Sequence, residues 1–150
     1  MGADDGIRGH VGELPVPVFD PIAATVAPPL DRCRVAIVTT AGLRPGGQAE
    51  LARLGDASFV VLPGDDRDLQ LAHFSPNFDR SGFTADLNVV YPVDRLHELA
   101  ASGVIGSVAS QHLAFMGAQF DLSTLMIDTG PAAARVLLAD GVDVVVLTPV

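Results

Sequence analysis

RVAIVTT, residues 34–40, runs into Ala41-Gly42, and its reading decides the fold. The stretch is compact and rich in β-branched residues, with apolar side chains on successive positions. That is the form of a parallel strand buried on both faces and closed by a glycine turn. A similar run near the carboxyl end, Val142 to Leu147, reads as a final strand and is expected at the centre of the sheet. SFVVLPGD, residues 58–65, reads as another strand, closed by Pro63-Gly64.

Helical patterns alternate with these strands. In residues 93–100, VDRLHELA, Asp94 is the expected cap, Leu96, Leu99 and Ala100 the inner stripe, and Gly103 the left-handed stop. A second helix is expected from about Thr129 to Ala139. Pro131 lies in its first turn, where a missing N–H costs nothing, Ala134, Leu137 and Leu138 face inward, and Gly141 ends it. GGQAELARLGD can carry a short helix through Leu51 and Leu54, whereas residues 104–117 are ambiguous between strand and helix. Alternating β and α elements imply an α/β fold: a mostly parallel sheet with flanking helices and right-handed crossovers, left incomplete or completed by oligomerisation. Residues 1–31, rich in Pro, Gly and Asp, read as an arm that lies on a surface, with a short helix near residues 21–26. Residues 32–150 form the α/β domain. No internal repeat is present.

The totals narrow the partners. A length of 150 residues suits one domain, and a net charge of -9 repels phosphate backbones and anionic lipid surfaces, so neither nucleic acid nor membrane is an expected partner. All nine cations are arginine, which carries no functional reading. Mean hydropathy is high at +0.39, yet no apolar run approaches the roughly 18 residues of a membrane span, so the surplus apolar surface is expected to be covered by another chain or further residues. The first residues carry acids where a secretory leader needs cations, and a cytoplasmic location is expected. A single cysteine, Cys33, excludes an internal disulfide or a CxxC pair within these residues.

Candidate chemistry lies at two places. Thr39, Thr40 and Gly42 stand where the first strand ends, so hydroxyls and backbone N–H groups there could hold an anion or carboxylate. The plainer reading is that the threonines finish the strand and the glycine makes the turn. GxGxxG and GxxxxGK[ST] are absent there. The second place is the irregular segment 66–91, too long for a mere connector. In it His73 is a candidate acid or base, oriented by Asp79 or Asp86, although both aspartates also serve as turn formers. His97 reads as solvated. His112 lacks neighbouring ligands for a metal and reads as a hydrogen-bonded histidine of the core or of a site. Cys33, before the first strand, reads as a small buried hydrophobe.

RVAIVTTAGL at 34–43, HFSPNFDRSGFTADLNVVYPVDRLHELAASGVIGSVASQHLAFMG at 73–117 and GPAAARVLLADGVDVVVLTPV at 130–150 occur in the order found in another group of proteins. Through them the chain resembles, over roughly residues 30–150, the selenoprotein B family of glycine, sarcosine, betaine and D-proline reductases. The resemblance implies reduction of a small molecule by a selenocysteine or cysteine followed closely by a second cysteine, recycled by thiols. In the amino-acid reductases a pyruvoyl-bearing partner subunit first activates the amine. The redox element, U-x-x-C or C-x-x-C, is expected beyond Val150, immediately after the final strand. No other cofactor and no metal is expected. On this reading His73, Asp79 and His112 are catalytic candidates, and Thr39, Thr40, Gly42 and Asp86 bind substrate. The 150-residue chain is then expected to be the inactive, substrate-side portion of a longer reductase, ended at a UGA codon read as stop. The competing expectation is a redox-silent binding or assembly subunit within a homo- or hetero-oligomer.

Overall fold

A computed structural model describes residues 9, 12–13, 25–47, 55–73, 80–117, 119 and 121–150. The helix expected around Leu51 and Leu54, and most of the amino-terminal arm, lie outside the described residues. The end of the arm is an exposed stretch closed by a 3-10 turn, Leu30–Arg32, that leads into the sheet.

The principal sheet is built around β1, Arg34–Thr39, which has partners on both sides. On one side it runs parallel to β7, Val144–Thr148, with Val35 opposite Val144 and Thr39 opposite Thr148. On the other it runs parallel to β5, Ser107–Val108, and then to β6, Gln111–Phe115. Outside β6 lies β3, Phe59–Pro63, in antiparallel pairing from Phe59 opposite Phe115 to Pro63 opposite Gln111. The sheet is therefore mixed, parallel around β1 and antiparallel at β3. A small antiparallel pair, β2 (Leu43–Pro45) with β4 (Leu69–Leu71), stands beside it.

In the sheet formed by the described residues the final strand lies at an edge. Among the described residues β7 pairs only with β1, because β1, the strand buried on both faces, takes the middle position.

Alternate residues of β1 feed two apolar layers. Val35 and Ile37 pack with Leu62, Tyr91, Val93 and Leu96, beneath helix α2, Val93–Ala101. Ala36 packs with Leu113, Ala133 and Leu137, beneath helix α3, Gly130–Ala139. Ile37, Leu62 and Leu113 are completely buried, and each contributes about 2 kcal/mol by removal from water.

The helices end as their glycines imply, with φ of 74° at Gly103 and 70° at Gly141, but their starts and inner faces differ from expectation. Pro92 occupies the cap position of α2, and Asp94 is the second helical residue, two positions past the cap. The Oδ1 of Asn88 accepts from the Asp94 N–H at 3.1 Å, so Asn88 satisfies the helix terminus from the preceding 3-10 turn, Leu87–Val89. The buried residues of α2 are Val93 and Leu96, whereas Leu99 is exposed. On α3, Ala133 and Leu137 are buried while Ala134 and Leu138 are exposed. A shift of one position turns the inner stripe by a quarter of the helix circumference or more. A π-helical turn, Leu125–Thr129, precedes α3 directly. The segment 66–91, read as irregular, contains β4 and a one-turn helix α1, Ser81–Ala85.

β5 and β6 are one strand interrupted at Ala109-Ser110. The Asp140 carboxylate, at the end of α3, accepts from the Ser110 N–H (2.8 Å), the Ser110 hydroxyl (2.6 Å) and the Gln111 N–H (3.1 Å). Those backbone donors are thus turned away from β1. Among the described residues, no helix is long and apolar enough to cross a membrane.

Candidate functional site

The parallel strands β1, β6 and β7 all finish at the same edge, where an α/β sheet offers a crevice. After β1, the Thr40 N–H donates to the Thr148 carbonyl at 3.2 Å, and the ladder is then continued by a side chain. The Thr40 Oγ1 accepts from the Val150 N–H at 2.9 Å and donates to the Val150 carbonyl at 3.4 Å. Thr39 is completely buried, its Oγ1 accepting from the Ala41 N–H at 3.2 Å and donating to the Thr148 carbonyl at 3.4 Å. Two adjacent threonines thus separate by strand alternation: Thr39 closes the strand internally, and Thr40 reaches the surface of the edge.

Gly42 turns the chain with φ of 65°. A Cβ there would lie 3.2 Å from the Met116 Sδ and 3.3 Å from the His73 backbone nitrogen. Its N–H donates to the Phe115 carbonyl and its carbonyl accepts from Ala72 N–H, which stitches the turn to β6 and brings His73 in. His73 is buried, and its carbonyl accepts from the Arg80 guanidinium at 2.7 Å. Burial, reinforced by the Arg80 cation, holds its imidazole below the ordinary histidine range.

Gly117 joins these groups. A Cβ at that position would lie 3.1 Å from the Val150 carbonyl oxygen, 3.2 Å from the His73 Nε2 and 3.2 Å from the Thr40 carbonyl oxygen. Only a residue without a side chain lets the three segments approach so closely. Beside this meeting point a cavity of about 390 Å³ opens, bordered by Thr40, Gly117 and Val150. The rest of its wall comes from Phe115, Met116, Gln119, Leu122 and Leu125. Thr40, Gly42 and His73 are therefore brought together as candidates. Gly117, Val150 and the cavity wall were missed, because a glycine after a strand carries no sign of what approaches it.

Of the other candidates, Asp86 and His112 lie apart. Asp79 is outside the described residues. Asp86 is exposed and accepts from the backbone N–H and the side-chain amide of Asn88, both at 2.9 Å, which caps the 3-10 turn. Those bonds lower its pKa. His112 sits in β6 opposite Leu62, before the strand reaches the carboxyl edge. It is fully buried, accepts the Ile37 N–H on Nδ1 at 3.0 Å and meets the Tyr91 ring edge-on at 5.4 Å. With Nδ1 accepting, the neutral ring carries its proton on Nε2. Burial first, then His97, takes its pKa down to about 4. His97 is exposed. Cys33 is buried, and burial, with Asp143 and Asp31 adding to it, raises its thiol pKa, as suits a small packed side chain rather than a nucleophile. Among the described residues, no group of three or more His, Cys, Asp or Glu is placed to hold a metal.

Residues 7–150 match the family model of glycine/sarcosine/betaine reductase selenoprotein B. The chain is 34% identical over 145 residues to D-proline reductase subunit gamma of Acetoanaerobium sticklandii, covering 95% of this chain and 59% of that protein. It is 28% identical to sarcosine reductase complex component B subunit beta of Peptoclostridium acidaminophilum. Identity to glycine reductase complex component B subunit gamma of Carboxydothermus hydrogenoformans is 31%; in both cases the match covers 91% of this chain and 32% of the relative. The chain thus spans little more than half, or about a third, of the length of these relatives. No solved structure matches it significantly. The chain belongs to the glycine/sarcosine/betaine reductase selenoprotein B family.

Proposed function

We propose that this member of the selenoprotein B family supplies the substrate-side part of a selenol- or thiol-dependent reductase, and that the crevice at the carboxyl edge of β1, β6 and β7 is its reaction site. The observation that carries the reading is the convergence of Thr40, His73 and Val150 on Gly117, next to a cavity. The redox pair, selenocysteine or cysteine with a second cysteine, is placed by this reading beyond Val150. Such a pair gives up two electrons and two protons to the substrate, closes as a selenenylsulfide or disulfide, and is reopened by a dithiol.

The residues at the edge have separable tasks in this reading. Thr40 fixes the backbone of Val150 and hence the direction in which the chain leaves the sheet. His73, buried and held neutral near physiological pH, accepts or returns a proton at the reacting centre. Gly42 and Gly117 allow these parts to meet. Asp79 and Asp86 remain proposed only as contributors from the segment that follows His73, and His112 as a structural neighbour.

Two measurements test the reading. Determining the nucleotides after codon 150 is expected to show UGA or a cysteine codon, with a further cysteine codon within a few positions; unrelated sequence there removes the redox role. The protein extended through that element, supplied with dithiothreitol, is expected to reduce one of a panel of small amines, and His73→Gln to lower kcat more than it raises KM. Failure of the extended protein to reduce any of them counts against the proposal.

A second reading is favoured by a different observation. Val145 and Leu147 on β7 are 37% and 71% exposed, and Leu138 and Ile127 are 70% and 80% exposed. In this reading the chain is an assembly subunit of a cytoplasmic homo- or hetero-oligomer, with a pyruvoyl-bearing subunit as one proposed partner. Sedimentation discriminates: a single defined oligomer supports the assembly subunit, and heterogeneous aggregation opposes it.

A further inference from the structure

The stretch that leads into and forms α3 carries an apolar stripe that its own sheet does not use. Ala133 and Leu137 are the buried residues of this helix. Ile127, Pro131, Ala134 and Leu138 recur at intervals of 4, 3 and 4 residues, which sets them in one line along the helix, turned by a quarter of the circumference or more from the buried pair. All four are exposed. At about 1.5 Å per residue the line runs for about 16 Å. Val145 and Leu147 lie on the same side of the sheet, since they stand opposite Ala36 and Val38 of the layer beneath α3, and they are exposed as well.

Charge decides what can lie along this stripe. Between Leu125 and Ala139 the only charged residues are Asp128 and Arg135, both exposed. They are one heptad apart on the same flank, about 10 Å along the axis, too far to pair with each other. Among the described residues neither side chain has an ion-pair or hydrogen-bond partner. An antiparallel copy of the same helix, related by a two-fold axis between Pro131 and Ala134, sets Ile127 against the partner's Leu138 and Pro131 against the partner's Ala134. The same rotation brings Asp128 of each copy beside Arg135 of the other, so two ion pairs form together. A parallel copy would set Asp128 against Asp128 and Arg135 against Arg135.

We propose that the chain associates with a second copy of itself through α3, as an antiparallel and two-fold symmetric helix pair anchored by Ile127 and Leu138 and oriented by Asp128 and Arg135. The inference rests on the assembly-subunit reading and narrows it to one face and one partner. A short helix pair lies at the small end of specific interfaces, so a dimer that dissociates at micromolar concentration is expected.

The test is sedimentation equilibrium of the 150-residue chain over a concentration series. The unsubstituted chain is expected to show a monomer–dimer equilibrium, and Ile127→Glu and Leu138→Glu each to weaken the dimer about tenfold or more. Asp128→Arg and Arg135→Asp each set like charges together at two symmetric places and are expected to weaken it about threefold or more. Combining those two reversals restores opposite charges and is expected to return the affinity to within about twofold of the unsubstituted chain, a recovery that misfolding of the single variants does not produce. A dimer that tolerates both glutamate substitutions, or that the combined reversal weakens further, overturns the proposed face while assembly through another surface stands. A chain that stays monomeric throughout overturns self-pairing and leaves only assembly with a different subunit.

Discussion

The backbone N–H of Ile37 donates to Nδ1 of His112 across 3.0 Å, so an imidazole stands where a neighbouring strand would have supplied a carbonyl. The imidazole serves at the break between β5 and β6, where the Ser110 carbonyl accepts instead from the Gly64 N–H at 2.9 Å and Asp140 holds the Ser110 and Gln111 donors. Protonating Nδ1 removes the acceptor and buries a charge. The folded pKa is about 4 against an ordinary 6.5, so the unfolded chain binds more protons between those values. The stabilisation is fully present above about pH 6.5 and is lost as pH falls toward 4, by about 3 kcal/mol. Urea midpoints measured across that window for the unsubstituted chain and for His112→Asn check it: the difference between the two curves should shrink as pH falls. A difference independent of pH would show that His112 titrates normally.

Asp140 ties α3 to the interrupted strand and to β1. Besides Ser110 and Gln111, its carboxylate accepts from the Arg34 guanidinium at 2.9 Å, and its side chain is 12% exposed. Burial opposes ionisation, yet the bonds from Ser110, Arg34 and Gln111 prevail and lower its pKa. Asp140→Ala leaves those donors without their partner and should cost roughly 2 kcal/mol, with partial solvent access keeping it from costing more. Hydrogen exchange at the Ser110 and Gln111 amides should accelerate; unchanged protection would mean that other acceptors take over.

Gly117→Ala places a methyl group within 3.2 Å of His73 Nε2 and of the backbone oxygens of Val150 and Thr40. The neighbours must yield by a few tenths of an ångström, and overpacking of this kind costs about 1–3 kcal/mol. The chemical shifts of the His73 ring protons report the displacement. No change in those signals or in the unfolding midpoint would show that the three segments do not meet there.

Tyr91 is wholly buried, and its hydroxyl has no hydrogen-bond partner among the described protein groups. Burial also raises its pKa strongly. Tyr91→Phe removes a polar atom that makes no bond with protein and keeps the ring packed on His112, so stability is expected to stay level or rise by up to about 1 kcal/mol. Thermal unfolding of the variant checks this. A loss of more than about 1 kcal/mol would show that the hydroxyl is satisfied by a bound water.

Thr40→Val keeps the shape of the side chain and removes the acceptor of the Val150 N–H. The site is exposed, so the stability loss should be under about 1 kcal/mol, while amide exchange at Val150 rises by about tenfold. Equal exchange in both proteins would remove Thr40 from its role in directing the chain at the edge.

Patterns confined to a few consecutive residues determined a good part of this protein. The β-branched run 34–39, the strand 59–63, helix 93–101 and the helix with Pro131 in its first turn are all legible, because backbone propensity and local apolar spacing suffice to specify them. The edge after RVAIVTT could also be singled out, since a parallel strand leads there, and the family resemblance rested on segments readable in order.

Tertiary structure alone decided which strand is central, which way β3 runs and which face of α3 is buried. Leu137 and Leu138 are equally apolar neighbours, yet one is buried and the other exposed, because only the position of β6 selects between them. The same holds for the two buried histidines. Each is a lone imidazole in sequence, but the turn at Gly42 carries His73 to Gly117 at the carboxyl edge, while the break at Ser110 leaves His112 to accept a backbone N–H inside the sheet. Contacts between residues 75 or more positions apart, such as Ile37 with His112 and Thr40 with Val150, depend on how the strands are ordered in space, and local propensity carries no information about that order.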